Sequence, residues 1–459
     1  MRIKNLGPIK NVEISLNKMN VFIGKNGTGK TLGAYALFAF IHWFNHRFVA
    51  DIIKEEDIKD ILHNGNKLIS VNEVKNKIAK QASEQFNSIG FNNFSSFFNH
   101  TGVYTKSSRI EVSPEDVNAL LRTRKNKTLW YYSWQLRREQ VDLFVDGSEK
   151  SEVETKDCNR ITCNLNGNSI ELSYEPQIDI SDGELEDQFN EFCENHNSLR
   201  AVSLCIQNNL FEPFQSALPV YLPAERIGIN VFRRDLNLTR LNSFPTQGIQ
   251  STNEFQQQKS PRKYSFPIEK YISFVNNNVE KLNQISESID KNDLINKFIP
   301  GSFKYDGNED KLTYALPDSS SSTLDFEGIS SSLKSIFGLD LFLRSDPEGK
   351  WLFFDEPEMN LHPENQRLIA KLLYEMVKNN IQLVISTHSD YFIKELINCV
   401  LKDKVKGKNT DEVNVYEFKD GSATNINDIF NIEESVENFD DTTRKINDEY
   451  YELIDEIDE

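Results

Sequence analysis

Gly24-Lys25-Asn26-Gly27-Thr28-Gly29-Lys30-Thr31 is the stretch on which the reading of this chain turns. It fits the pattern G-x-x-x-x-G-K-[ST], and each residue type in it has a physical reason. The glycines let successive backbone N–H groups converge on phosphate oxygens with no Cβ in the way. Lys30 supplies a compact positive charge for β- and γ-phosphates, and Thr31 offers its hydroxyl to Mg2+. Lys25, Asn26 and Thr28 complete the loop. Met19 to Ile23, just before it, reads as a buried strand, and the apolar stretch Leu32 to Phe44 reads as a buried helix. That helix would aim its positive end at the same phosphates. The ligands expected here are ATP and Mg2+.

Two later segments complete the pattern. Trp351-Leu352-Phe353-Phe354-Asp355-Glu356-Pro357 is an apolar strand ending in two carboxylates. Asp355 is placed to hold the metal through water, as Walker-B aspartates do. Glu356 is placed to orient or deprotonate an attacking water. Leu383-Val384-Ile385-Ser386-Thr387-His388-Ser389 is a second apolar strand, and His388 beyond it could hydrogen-bond the γ-phosphate or that water. The catalytic pair expected is Glu356 and His388, with Thr31 and Asp355 on the metal. His362, in Asn360-Leu361-His362-Pro363, reads as structural or as an interface residue. His42 and His46 have metal-pair spacing, but no acidic or cysteine partner stands near them in the sequence, so they read as packing or surface residues.

The chain has 459 residues and a net charge of −18, which disfavours non-specific DNA binding by the surface as a whole but leaves room for a local basic groove. No run approaches the ~18 apolar residues of a membrane span, and no signal peptide is visible at Met1. The expected location is cytoplasmic, with no membrane partner. Cys158, Cys163, Cys193, Cys205 and Cys399 are odd in number and scattered, so they read as reduced packing residues.

The fold class expected is α/β: the motifs resemble those of an ABC-type P-loop ATPase head, which implies a mixed sheet with helices, here with an antiparallel β part and an inserted helical region. Residues 1–45 form the P-loop part of the head. Residues 46–215 are an insertion, helical and then antiparallel β. Residues 216–430 return to the head, and 431–459 form an acidic C-terminal helix. Within the first part, Arg2–Leu6 and Val12–Leu16 read as strands about a Gly-Pro turn. The insertion contains strands at Arg109–Val112, Val141–Val145 and Ser169–Leu172, with turns at Asp146-Gly147 and Asn166-Gly167. Tyr271 to Ile295 has helical spacing, and Gln247 to Pro261 reads as a loop. Arg122, Arg124, Lys125 and Lys127 precede Trp130, Tyr131, Tyr132 and Trp134, with Arg137 and Arg138 after them. This describes either a surface that stacks and neutralises nucleic acid or a strand with buried rings and outer cations. Ile446, Tyr450, Leu453 and Ile457 share one helical face, suited to the protein's own surface or to a partner.

Together these residues resemble the ABC/SMC-type ATPase heads. Within that class they are similar to the stand-alone ATPases related to the overcoming-lysogenization-defect (OLD) family. The marks are Asp355-Glu356-Pro357-Glu358 with Leu361-His362-Pro363, Ser386-Thr387-His388-Ser389, Ile3 to Ile9, and Tyr221 to Arg226. The resemblance implies a signature motif reaching a second subunit's ATP, best matched by Ile329-Ser330-Ser331-Ser332-Leu333-Lys334-Ser335. Ser330 or Ser331 would donate to the γ-phosphate, and Ser332 stands where relatives usually have glycine. Gln207 and Gln215 are candidates for the Gln-loop. The partners implied are a second copy, in a homodimer closed by two ATP molecules or a higher oligomer built on it. No heptad arm and no nuclease-like cluster is visible, as in the ATPase subunits of two-component anti-phage systems such as PARIS and Septu. The resemblance therefore implies a slow ATPase acting as sensor and scaffold for a separate effector, a nuclease or toxin from an adjacent gene. A phage protein or nucleic acid would be the trigger. A DNA-repair ATPase of the SMC-like head type and an assembly module using ATP as a structural ligand are the alternatives.

Overall fold

Met19-Asn20-Val21-Phe22-Ile23, Trp351-Leu352-Phe353-Phe354-Asp355 and Gln382-Leu383-Val384-Ile385-Ser386 are each buried at every position. Runs of this kind belong in the middle of a parallel sheet covered on both faces. The computed structural model describes residues 1–90, 94–95, 97–98, 102–123, 130–134, 159–175, 196–212, 218–236, 264–283, 293–317, 322–345, 350–430, 445 and 447–451. Several expectations lie outside the described residues: Arg124, Lys125, Lys127, Arg137 and Arg138 of the basic cluster, the strand Val141–Val145 with its turn, the loop Gln247–Pro261, Cys158, Cys193, Gln215, and Ile446, Leu453 and Ile457.

The chain divides into two compact units. The larger comprises Arg2–Ala39, Gly90–Ile110 and Pro219–Glu459. Its first strands are β1 (Arg2–Leu6), β2 (Ile9–Glu13) and β3 (Met19–Ile23), and helix α1 (Lys30–His46) starts directly behind the Gly24–Gly29 loop. The second strand is Ile9–Glu13, not Val12–Leu16, because the hairpin pairs Leu6 with Ile9 and closes tightly about Gly7 and Pro8. Strand β4 (Tyr104–Glu111) joins this hairpin in the order β2-β1-β4, which is why Gly90–Ile110 packs with the larger unit.

The remaining elements of this unit are β5 (Val220–Leu222), α2 (Arg226–Val231), α3 (Phe266–Asn278), α4 (Asp293–Phe298), β6 (Ser302–Asp306), β7 (Lys311–Ala315), β8 (Thr323–Asp325), α5 (Ser331–Leu343), β9 (Trp351–Asp355), α6 (Pro363–Lys378), β10 (Gln382–Ser386), α7 (Asp390–Val405), β11 (Val413–Lys419) and β12 (Ser422–Asn425). The helix expected over Tyr271–Ile295 starts earlier, at Phe266, and gives way to a 3-10 turn at Val279–Asn283. Pro267 in the first turn of α3 explains the early start, since a missing N–H is harmless there.

The main sheet has the order β5-β9-β10-β3-β11-β12, parallel throughout except for the edge strand β12. Its register decides the rest. Asp355 pairs with Ser386, and Ser386 pairs with Phe22, so the three strands end at one level. β6, β7 and β8 form a separate antiparallel sheet. The α1 segment Gly33–Ile41 is buried on all sides. Phe38 there meets Tyr221 and Phe353 edge-on at 5.5 and 5.2 Å between ring centres.

The smaller unit comprises Met1, Phe40–Ile89 and Glu111–Leu218. It holds helices Glu55–Asn64, Val71–Asn87, Pro114–Leu120 and His196–Leu210. Its four-stranded antiparallel sheet runs Asn66–Ser70, Ser169–Glu175, Asn159–Asn166, Trp130–Trp134. The turn read at Asn166-Gly167 joins two of these strands, with Gly167 at φ +64°. Gln207, one Gln-loop candidate, is buried here. Its amide accepts from Ala50 N at 2.9 Å and donates to Phe48 O at 2.9 Å, a bracing role for the main chain. Cys163 and Cys205 are free, buried thiols, and burial pushes Cys205 up to about 11.

Tyr221 supplies a stability test. Its ring is 1% exposed and stacks on Phe353 at 5.9 Å, yet its hydroxyl meets no hydrogen-bond partner among the described residues. An unsatisfied buried hydroxyl costs about 1–3 kcal/mol. Tyr221→Phe should therefore raise the urea midpoint by the equivalent of about 1 kcal/mol. A lower midpoint would show that the hydroxyl has a partner.

Candidate active site

The Gly24–Thr31 loop leaves the end of β3 at the level of Asp355 and Ser386. Its shape depends on glycine. Gly24 has φ +136°, and a Cβ there would sit 2.3 Å from Phe418 O. Gly29 has φ +105°, and a Cβ there would sit 2.6 Å from the Ile9 side chain. The loop is braced from within, since Thr28 Oγ1 donates to Lys25 O at 2.8 Å. Lys25, Asn26 and Gly27 are exposed, so the crest of the loop faces outward.

Lys30 is 6% exposed, and its ammonium donates to Gly24 O at 2.7 Å and Lys25 O at 2.9 Å. Burial lowers its pKa, against the opposing pull of Glu356, Asp355 and Glu358. Thr31 Oγ1 lies 3.3 Å from Asp355 Oδ1, and Ser386 Oγ donates to the same oxygen. Asp355 is 4% exposed. Burial pushes its pKa up to about 6; the Glu356 charge adds to this, and the Ser386 and Thr31 hydrogen bonds oppose it.

Glu356 begins the turn after β9 at φ +46°, a left-handed conformation uncommon for a side chain of its size. It is held there from both sides. Its N–H donates to Ser386 O at 2.8 Å, and its carbonyl accepts from Arg226 Nη2 at 2.8 Å. His388 is 47% exposed in its side chain, with Nδ1 3.5 Å from Oε1 of both Glu356 and Glu358.

The structure thus brings together Lys30, Thr31, Asp355, Glu356 and His388. Ser330 and Ser331 stand elsewhere, at the exposed N-terminal end of α5. Ser330 caps that helix, accepting from Leu333 N at 3.3 Å. Among the described residues neither serine hydrogen-bonds to the Gly24–Thr31 loop or to Asp355 and Glu356. Ser332, where glycine was the expectation, donates to Asn360 O at 2.6 Å. His362 caps α6 by accepting from Glu364 N at 3.4 Å. His42 and His46 pack their rings edge to face at 5.8 Å.

With this geometry in place, the comparison with protein families has a clear outcome. Residues 1–393 match the AAA ATPase domain family. The chain belongs to that family. No curated protein matches it. Among solved structures it is similar to an SMC head bound to the C-winged helix domain of ScpA, at 12% identity and TM-score 0.32, covering 93% of this chain and 96% of that one. It is also similar to the SMC head domain from Thermotoga maritima, at 11% identity and TM-score 0.29, covering 93% and 96%. A third is the Smc head with an extended coiled coil bound to the C-terminal domain of ScpA, from Pyrococcus furiosus, at 13% identity and TM-score 0.29, covering 93% and 94%.

The residues fit the ligands of an AAA ATPase. The glycine cradle would be filled by any Cβ at 24 or 29. A hydroxyl and a carboxylate oxygen, Thr31 Oγ1 and Asp355 Oδ1, form a hard-donor pair suited to Mg2+. The strain of ionising buried Asp355 is what a bound cation relieves.

Two residues of this site have no role in the pattern read from the sequence. Glu358 is 5% exposed, and its Oε1 accepts from Thr387 Oγ1 at 2.7 Å and His388 N at 3.0 Å, fixing the main chain under His388. Arg226 is fully buried against the backbone of the Asp355–Glu356 turn. Their signals were a third carboxylate after Asp355-Glu356 and a lone arginine closing Tyr221-Leu222-Pro223-Ala224-Glu225.

Asp355 yields a pH test. Its folded value of about 6 lies above its ordinary 3.8, so the folded state holds a proton that the unfolded state has lost. Its contribution to stability therefore falls as pH rises from about 4 to about 6, and the full penalty applies above that. At neutral pH the penalty is about 2–3 kcal/mol. Asp355→Asn should melt higher than wild type at pH 7.5 without nucleotide, and the difference should shrink toward pH 4. A variant that melts lower at pH 7.5 would contradict this.

Proposed function

We propose that the chain binds and slowly hydrolyses Mg-ATP, and that two copies close around two ATP molecules in the manner of ABC/SMC heads. In each site Gly24 to Gly29 cradle the phosphates, Lys30 neutralises the β- and γ-phosphates, and Thr31 and Asp355 hold Mg2+. The cation supplies charge neutralisation of the transferring phosphoryl group. Glu356 orients the attacking water and accepts its proton, with His388 beside it. Ser330 or Ser331 comes from the other copy.

The observation that carries this reading is the meeting of Lys30, Thr31, Asp355, Glu356 and His388 at one edge of the sheet. The shared-site element is supported by the exposed position of Ser330 and Ser331, on a helix start that favours an anion. The biological role we infer is that of a sensor and scaffold in an anti-phage defence system, controlling a separate effector. Its support is the likeness of Asp355–Pro363 and Ser386–Ser389 to the OLD-related ATPases.

Lys30→Ala should abolish ATP binding in a fluorescent-nucleotide titration. Glu356→Gln should keep binding, lose about 100-fold or more in turnover, and sediment as a larger species only with ATP. Unchanged turnover in both variants would remove the ATPase reading. Unchanged sedimentation of Glu356→Gln would remove the dimer. Failure of the adjacent gene's product to co-purify with the ATP-bound Glu356→Gln chain would count against the effector role.

A further inference from the structure

Helix α5 carries Ser330 and Ser331 at its N-terminal end, and two separate attachments tie it to the turn that presents Glu356. The first is Arg226, whose side chain is among the largest fully buried ones in the protein. Its Nε donates to Ser335 O in α5 at 2.8 Å. Its Nη1 donates to Asp355 O at 2.8 Å and Pro223 O at 3.0 Å, and its Nη2 to Glu356 O at 2.8 Å. The guanidinium lies over the Phe354 ring, 4.8 Å from its centre. Every one of these hydrogen bonds ends on a main-chain carbonyl. Burial pulls its pKa down to about 10, so it is still a cation at neutral pH. A buried cation that bonds only to backbone acts chiefly through geometry. The rigid planar fork reaches three chain segments at once, which a lysine cannot do.

The second attachment is Ser332. Its hydroxyl donates to Asn360 O at 2.6 Å, and Asn360 sits at φ +60°. The turn from Asp355 to Asn360 is therefore gripped at both ends by α5, once through Arg226 and once directly. Both left-handed residues of the turn, Glu356 and Asn360, offer their carbonyls to these grips.

We propose that Arg226 and Ser332 are positioning residues that make α5 and the Asp355–Asn360 turn one mechanical unit. A displacement of Glu356 when phosphate arrives or leaves is carried to Ser330 and Ser331, which stand next to the Ser332 attachment. The serines that serve the second copy's nucleotide thus report the state of their own chain's site. This rests on the ATPase reading above.

The test uses the full chain and four proteins: wild type, Ser332→Ala, Ser332→Thr and Arg226→Lys. ATP turnover, fluorescent-ATP affinity and nucleotide-induced hydrogen exchange over 330–336 and 355–361 are measured for each. Loss of one hydrogen bond of this kind corresponds to about three- to tenfold. Ser332→Ala should lose about that factor in kcat with nucleotide affinity changed less than about twofold. Its 355–361 segment should still gain protection with ATP, while the gain at 330–336 is reduced, the Arg226 attachment carrying what remains. Ser332→Thr keeps the hydroxyl and should restore both. Arg226→Lys should lose about tenfold or more in kcat. Where that variant does not fold, the Ser332 pair decides. The proposal is overturned when the 330–336 response to ATP in Ser332→Ala is as large as in wild type, or when its kcat equals that of wild type. A wild-type chain that binds ATP without hydrolysing it removes the ATPase reading, and the exchange measurement still decides the coupling. One that binds no nucleotide removes both.

Discussion

Asp355 pairs with Ser386, and Ser386 with Phe22, across three adjacent parallel strands. Whatever follows each strand is delivered to the same edge of the sheet. Behind Phe22 and Ile23 comes the glycine loop, behind Asp355 comes Glu356, and behind Ser386 come Thr387 and His388. Thr31 and Asp355 are 324 positions apart in sequence, yet their oxygens lie 3.3 Å apart. A one-residue slip in either pairing would turn every side chain of a strand to the opposite face. All five positions of β3, β9 and β10 are buried, and Phe353 is wedged between Phe38 and Tyr221, so packing opposes such a slip.

The charges gathered at this edge are kept under tension. Asp355 is ionised at neutral pH against its burial, and Lys30 is buried with only loop carbonyls as hydrogen-bond partners among the described residues. A well-paired ion pair would be more stable and less useful, since neither group would be free to meet a ligand. Glu356 adds backbone strain, of the order of 1–3 kcal/mol for a left-handed residue that is not glycine. Strain persists only where surrounding bonds over-determine it. Here those bonds are Glu356 N to Ser386 O and Arg226 to Glu356 O. The fold gives up stability at the site and recovers it in the aromatic core behind, a division common to functional sites.

Much of this site is legible in sequence because its signals are local. A glycine loop before a helix, an apolar run ending in Asp-Glu and another ending in Ser-Thr-His each need only a few neighbouring residues to be recognised. Strand β1 was readable for the same reason. The parts that could not be read depend on distant partners. Nothing near Arg226 says that it will bond to Ser335, Asp355 and Glu356, more than a hundred positions away. Glu358 stands out in sequence only as part of the Asp355-Glu356-Pro357-Glu358 mark, and its bonds to Thr387 and His388 depend on a strand about thirty positions away. The strand placed at Val12–Leu16 fell at Ile9–Glu13 because hairpin closure, set by Gly7-Pro8 and the Leu6–Ile9 pairing, outweighs the apolar pattern of Val12, Ile14 and Leu16. Tyr271–Ile295 has helical spacing, but the helix yields to a 3-10 turn from Val279.

The loop at Gly24–Thr31 is shaped by its own backbone and internal bonds. Three of its residues, Gly24, Gly27 and Gly29, are held at positive φ, and Thr28 and Lys30 close it from inside by bonding the carbonyls of Gly24 and Lys25. Bracing of this kind lowers the entropy of ordering that a flexible loop would meet on binding. The remaining requirement is electrostatic. Asp355, Glu356 and Glu358 all raise the proton affinity of Lys30, so all three carboxylates project negative potential onto its ammonium. One lysine cannot offset three carboxylates and a triphosphate together. With a triphosphate bound, the backbone N–H groups at the start of α1 would offset part of this charge, and a cation between Thr31 and Asp355 would offset the rest. In this geometry a nucleotide and a cation would each lower the electrostatic cost of admitting the other.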